Sequence, residues 1–171
     1  MKLPSFSTGF TNRVVIVNDQ DEIVGHKERG TLSQEDIYRV SALWATNSNG
    51  DILLAQRHHT KKHHPNLWGP AVAGTVDEGE TYDENIVKEA EEEIGLKDIQ
   101  PKKSQKIRVT GEHNHFTQWY TLVCDKPAED FVIQEDEVEQ VKWFTRAELT
   151  RELQEHPEKY LRGTQWNLEN L

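Results

Sequence analysis

Glu89, Glu92 and Glu93 are the residues whose type and spacing could do chemistry in this chain. They lie in Lys88-Glu-Ala-Glu-Glu-Glu-Ile-Gly-Leu96, behind a glycine-bearing stretch, Gly74-Thr-Val-Asp-Glu-Gly-Glu80. At about 100° per residue, with Ile86 at zero, they fall at about 300°, 240° and 340°, in one sector of a helix. Ile86, Val87, Ala90 and Ile94 fall between zero and about 100° and form the expected buried stripe. The three carboxylates thus border the core instead of opposing it. Like charges at i,i+3 and i,i+4 weaken a helix by about a few tenths of a kcal/mol per pair, and only Lys88 sits among them to compensate. A hard, oxygen-seeking cation, Mg²⁺ or Mn²⁺, resolves that repulsion. The competing reading is a solvated acidic face, the usual fate of a charge run.

The elements that must position these groups are legible on either side. Thr81-Tyr-Asp-Glu84 has the spacing of a capping box, so the helix begins near Tyr82. Gly95 stands where a left-handed residue would stop it. Upstream, Val14-Val-Ile-Val17 and Ile23-Val24 flank the polar Asn18-Asp-Gln-Asp21 and read as a hairpin. Arg39 to Ala45 and Ile52 to Gln56 flank Asn47-Ser-Asn-Gly50, a second hairpin in which Asn-Gly supplies positive φ. A basic, histidine-rich loop from His58 to His64 runs into Pro65-Asn-Leu-Trp68, and a short apolar piece around Val72 leads to the acidic run. Ile107 to Thr110 and Phe116 to Val123 predict two strands joined by Gly111-Glu-His-Asn-His115, and Val138 to Phe144 a last one. Thr145-Arg-Ala-Glu148 opens a C-terminal helix that breaks near Pro157. This pattern predicts one α/β domain over residues 1–171, with a core of about residues 10–155 and a short C-terminal helical extension.

Composition excludes several classes of protein. A chain of 171 residues suffices for one domain with a buried core. Only 35% of the residues are hydrophobic, yet five tryptophans and patterned apolar segments argue against disorder. No run reaches the roughly 18 apolar residues of a membrane span. Met1 to Gly9 carries one lysine but no apolar h-region, unlike a secretory signal. Cys124 is the single cysteine and can form no internal disulfide, which fits a reducing, cytoplasmic setting. A formal charge of −10 disfavours a nucleic acid polymer as partner, because its backbone needs a basic surface. Small phosphate compounds stay open, since a metal inverts the sign of an acidic pocket.

Gly74, Glu80, Glu89, Glu92, Glu93, Gly95 and Leu96 fall on every spacing of the Nudix box, and the chain resembles the Nudix family. The resemblance covers most of the chain and implies an α/β/α sandwich with a mixed β-sheet. It also implies Mg²⁺ (or Mn²⁺) held by Glu89, Glu92, Glu93 and the backbone carbonyl of Ala73. Glu80 would orient the residue at the box arginine position, which is Lys88 here. Lysine can pair with a carboxylate but lacks the planar fork of arginine. The implied reaction is attack of water on a diphosphate joined to another moiety, with metal stabilising phosphate charge and acidifying bound water. Glu92 or Glu93, or a loop residue such as Glu137, would take the proton, and the box residues are favoured. The implied partner is a small diphosphate compound, such as a nucleoside diphosphate derivative. A homodimer would match many relatives.

The stretch Arg57-His-His-Thr-Lys61-Lys62-His-His-Pro65-Asn-Leu-Trp68 is similar to the matching loop of type I isopentenyl-diphosphate isomerases, which share the Nudix fold. There the residues matching Arg57 and Lys61 grip the substrate diphosphate, a fork and a mobile point charge. Isomerase chemistry, however, needs a cysteine before the box glycine, where this chain has Ala71-Val72-Ala73. Two metal histidines of the isomerases are matched here by Thr75 and Tyr38. The chemistry expected from this chain is therefore hydrolytic. An isomerase-like enzyme is the alternative, and a non-catalytic nucleotide-binding module is a third reading that the three retained glutamates disfavour.

Other chemically capable residues weigh less. His58, His59, His63 and His64 invite a transition-metal reading, but proline and lysines among them favour an exposed polar loop. His113 and His115 could flank the pocket or serve core or surface roles. Trp44 and Trp68 are expected to pack, Trp119 and Tyr120 divide between core and pocket, and Cys124 is expected to behave as a small hydrophobe.

Overall fold

A computed structural model describes residues 12–171. The stretch from Met1 to Gly9, read above for a secretory signal, lies outside the described residues.

Both expected hairpins form. β1 (Arg13–Val17) and β2 (Ile23–Glu28) turn around Asn18, whose side chain accepts from the backbone N–H groups of Gln20 and Glu22. β3 (Ile37–Thr46) and β4 (Ile52–Arg57) turn through Gly50, held at φ 83°. β3 is the spine of a mixed sheet. One of its edges runs parallel to β8 (His115–Val123) from Tyr38 to Thr46. The other edge is shared in turn by β1, by β6 (Val72–Thr75) and by β4. The last predicted strand, β9 (Val138–Phe144), pairs with β4.

Alternation along β3 explains the layers. Successive side chains of a strand point to opposite faces, so Leu43 and Ala45 meet Ile86, Ala90 and Ile94 of α1 (Tyr82–Ile94). Ala42 and Trp44 meet Leu149 and Leu153 of α2 (Arg146–Glu155) and Leu168 of α3 (Thr164–Asn170). Burying one such side chain is worth about 1.5–3 kcal/mol, and both faces of β3 are buried from Ser41 to Ala45. The result is the expected α/β/α sandwich.

Four details depart from expectation. Val87 is 36% exposed, beside a surface depression of about 260 Å³ lined by Asp83, Ile99 and Tyr120. In its place Tyr82 and Asn85 are buried, so the helix is rolled toward its glutamate side. Asn85 causes the roll: its amide donates to the carbonyl of Thr75 on β6 and accepts from Ser41 on β3. A three-residue strand, β5 (Trp68–Pro70), pairs with β4 and was not foreseen. β7 (Lys102–Val109) starts well before Ile107, because its first half is a solvent-exposed polar segment ordered by pairing with β8, with no apolar pattern to announce it. The capping box at Thr145 is half a box: Thr145 accepts from the Glu148 N–H, while the Glu148 carboxylate binds Lys142 at 2.8 Å.

Trp44 is buried, and Trp68 packs edge-on to Phe144 at 5.3 Å. Trp119 and Tyr120 both belong to the core, on opposite faces of β8. Cys124 packs half-buried against the α1 side of the core. Among the described residues no helix is long and apolar enough to cross a membrane.

Candidate metal centre

The acidic helix is anchored where the sequence placed it. Thr81 and Glu84 form the full reciprocal capping box, and Gly95 at φ 68° donates its N–H to the carbonyls of Ala90 and Glu91. These ends fix the start and length of α1, while Asn85 fixes its roll, and so the directions of its glutamates. β6 then passes directly under Glu89. A Cβ on Gly74 would lie 2.5 Å from Glu89 Cδ and 2.8 Å from Oε1. Only glycine permits that approach, whatever its φ.

Two groups of carboxylates result. In the first, Lys88 Nζ lies 2.6 Å from Glu80, 3.2 Å from Asp77 and 3.6 Å from Glu89. Glu80 also accepts from Asn85 Nδ2 at 2.9 Å and from the Asp77 N–H at 3.1 Å. Burial pushes the Glu80 carboxyl up, but these donors outweigh it and hold the group below its ordinary range. Lys88 is shifted in the complementary direction: burial lowers it, and Glu80 and Glu89 more than reverse that.

The second group has too little positive charge. Glu93 turns toward β6 and accepts from the Ala73 N–H. Burial, then the charges of Glu89 and Glu137, push its carboxyl up to about 8, against relief from Ala73 and Lys61. Glu89 is also raised, by burial first, with Glu92, Asp77 and Glu80 adding repulsion and Lys88 opposing. Glu137 reaches this place from the loop before β9, which is tied to the helix by the Gln134 N–H on the Glu93 carbonyl at 2.9 Å. Glu92 is exposed at the edge. The three box glutamates do not bring their oxygens within one 4.8 Å sphere. Asn85 and Lys88 hold Glu89 back, Ala73 holds Glu93, and like charges keep apart.

Of the expected phosphate grips, Lys61 is at the centre: its ammonium pairs with Glu137 and lies in the field of Glu93. Arg57 stands at the end of β4, where its Nε braces the loop by donating to the His63 carbonyl at 3.1 Å. That loop is closed by paired backbone bonds, Arg57 N–H to Leu67 and Asn66 N–H to Arg57. His63 meets His113 edge-on at 5.5 Å, so the loop reaches the turn before β8. His115 is held neutral, down at about 4, by burial and then by His113 and Arg108.

An all-oxygen donor set with unneutralised, enclosed carboxylates fits a hard divalent cation. The residue that sequence reasoning missed is Asn85, which links Ser41, Thr75, Glu80 and Glu89. Its signal was present: on the same wheel it falls at about 260°, inside the carboxylate sector.

A sheet between helix layers, a glycine beneath a glutamate and an acidic helix beside a Lys–Glu pair define the class. The family model described as NUDIX domain matches residues 37–165, and the chain belongs to that family. It is 29% identical over 141 residues to the Nudix hydrolase YfcD of Salmonella typhi, covering 82% of this chain and 76% of that one. It is 22% identical to an isopentenyl-diphosphate Delta-isomerase of Aliivibrio fischeri, covering 88% and 89%. Among solved structures it resembles the Deinococcus radiodurans protein DR0079, at TM-score 0.78 and 24% identity over 92% of this chain and 97% of that one.

Proposed function

We propose that the chain hydrolyses the diphosphate linkage of a small compound, of the nucleoside diphosphate derivative class, with Mg²⁺ or Mn²⁺ held by Glu89, Glu92, Glu93 and the Ala73 carbonyl. The observation that carries this is Glu93, enclosed among carboxylates with its acid form favoured, beside the Lys61–Glu137 pair. The cation, when bound, neutralises phosphate charge and acidifies water. Lys61 leaves Glu137 for the incoming phosphate oxygens, and Arg57 supplies a forked contact. Water attacks phosphorus, the bridging P–O bond breaks, and Glu92 or Glu93 takes the water's proton, with Glu137 the next candidate.

The isomerase alternative is weakened by position. The thiol of Cys124 follows β8 at the Thr46 end of β3, whereas Ala73 pairs with Ala42. Four residues of strand, about 13 Å, separate the two. A purely binding module would have no use for the enclosed carboxylates. A reducing, cytoplasmic setting fits the one cysteine, and a homodimer is the assembly expected, checked by sedimentation.

The test is incubation with Mg²⁺ or Mn²⁺ and nucleotide sugars, ADP-ribose, dinucleoside polyphosphates or isopentenyl diphosphate. Cleavage of one class is expected, abolished by Glu92→Gln or Glu93→Gln and weakened in KM by Lys61→Ala. Cleavage that survives both glutamine variants, or double-bond migration without cleavage, overturns the reading.

A further inference from the structure

Adjacent strand residues normally point to opposite faces, yet His58 and His59 converge on one carboxylate. The register of β4 against β9 shifts between Gln56 and Arg57, and the strand ends at Arg57. The chain thus turns before the two histidines, and their rings come to 4.0 Å. His59 Nδ1 lies 2.9 Å and His58 Nε2 3.6 Å from the same oxygen, Glu139 Oε2, on β9. Among the described residues this is the trio whose donor atoms all lie within 4.8 Å of one another.

We propose that His58, His59 and Glu139 form a zinc site, separate from the acidic helix, that clips the histidine-rich loop to β9. Tetrahedral zinc with bonds of about 2.0–2.1 Å places neighbouring donors about 3.3–3.4 Å apart, and the two distances bracket that spacing. Two imidazoles and one carboxylate suit zinc and leave a fourth position to water, whereas Mg²⁺ prefers oxygen. The His58 ring is held at Nδ1, which lies 2.7 Å from Thr60 Oγ1 and accepts from the Thr60 N–H at 3.3 Å, and this turns Nε2 toward the site. The backbone is prepared as well, since the His58 N–H donates to the Glu137 carbonyl at 2.9 Å and the His59 N–H to Glu139 at 3.3 Å. The ion takes the place of the proton that His59 shares with Glu139, so uptake releases a proton and strengthens as pH rises. The clip spans the base of the segment that carries Lys61 toward Glu137, and it orders the loop without entering the acidic centre.

The experiment is zinc titration of the full chain, free of added histidines, by calorimetry, with Co²⁺ as a spectroscopic probe of tetrahedral geometry. One ion per chain is expected, with a rise in melting temperature. Glu139→Gln and His59→Asn should each weaken binding by about 10–100-fold, whereas the double variant His63→Asn/His64→Asn and Glu92→Gln should leave it intact. Both ligand positions are partly exposed, so the fold should survive, and circular dichroism checks it. Stoichiometric zinc that persists in Glu139→Gln, zinc lost in Glu92→Gln, or no stoichiometric binding overturns the proposal, whatever the fate of the hydrolase reading.

Discussion

Glu80 and Glu93 are the same residue type, one just before α1 and one in its last turn, and the fold treats them in opposite ways. Glu80 is surrounded by Lys88, the Asn85 amide and the Asp77 N–H, and its carboxyl is held down. Glu93 has one backbone N–H and two carboxylate neighbours, and its carboxyl is pushed up to about 8. Burial raises both, more strongly at the enclosed Glu93, and the neighbours widen the difference: donors outweigh burial at Glu80, and carboxylates reinforce it at Glu93. The first is a strut that stabilises the loop on to the helix. The second is a group whose ionised form is disfavoured until positive charge arrives, as a site for a cation requires.

The comparison breaks most visibly in activity. Glu93→Gln should lower kcat by about 100–10,000-fold, yet raise the melting temperature of chelator-treated protein at pH 8. Glu80→Gln should lower that melting temperature. Matched turnover assays and thermal melts of the two variants check the pair, and a shift of the same sign in both melts removes the contrast. Gly74→Ala probes the steric side. A methyl forced against Glu89 should cost about 1–3 kcal/mol in denaturant titrations, with loss of activity because Glu89 is displaced.

Lys88→Ala strips Glu80 and Asp77 of their shared cation and should cost about 1–3 kcal/mol, by the same measurement. Lys88→Arg should keep both stability and turnover, since the fork can serve both partners. The last test is a pH dependence. Metal-free, Glu93 binds its proton more tightly when folded, at about 8 against an ordinary carboxylate value of 4.5, so the native state holds more protons between those values. Stability from this group is full below about pH 4.5 and falls as pH rises toward about 8. A decline in melting temperature over that range is expected, flattened by Mg²⁺ and absent in Glu93→Gln.

Much of this was legible from local signals. The helix ends were written in Thr81, Glu84 and Gly95, because capping is satisfied within a few residues. The hairpins were written in Asn18 and in Asn47 to Gly50 for the same reason. The first half of β7 was not legible, because Lys102 to Lys106 have no apolar face and take their strand conformation from β8. Val87 was misplaced because a wheel gives the angles of side chains relative to one another, and not the roll of the helix on its sheet. Asn85 set that roll through partners on β3 and β6, far away in sequence.

The sequence by itself determined the α/β order, the acidic helix and its two ends, and the alanine where an isomerase needs a thiol. These depend on residue type and short spacing. Tertiary structure alone decided which glutamates are neutralised and which are not. It brought Glu137 and Lys61 from separate loops to Glu93, laid Gly74 beneath Glu89, and set Glu139 against His58 and His59. Electrostatic fields add over everything nearby in space, and the neighbours that matter here lie up to 80 positions away along the chain.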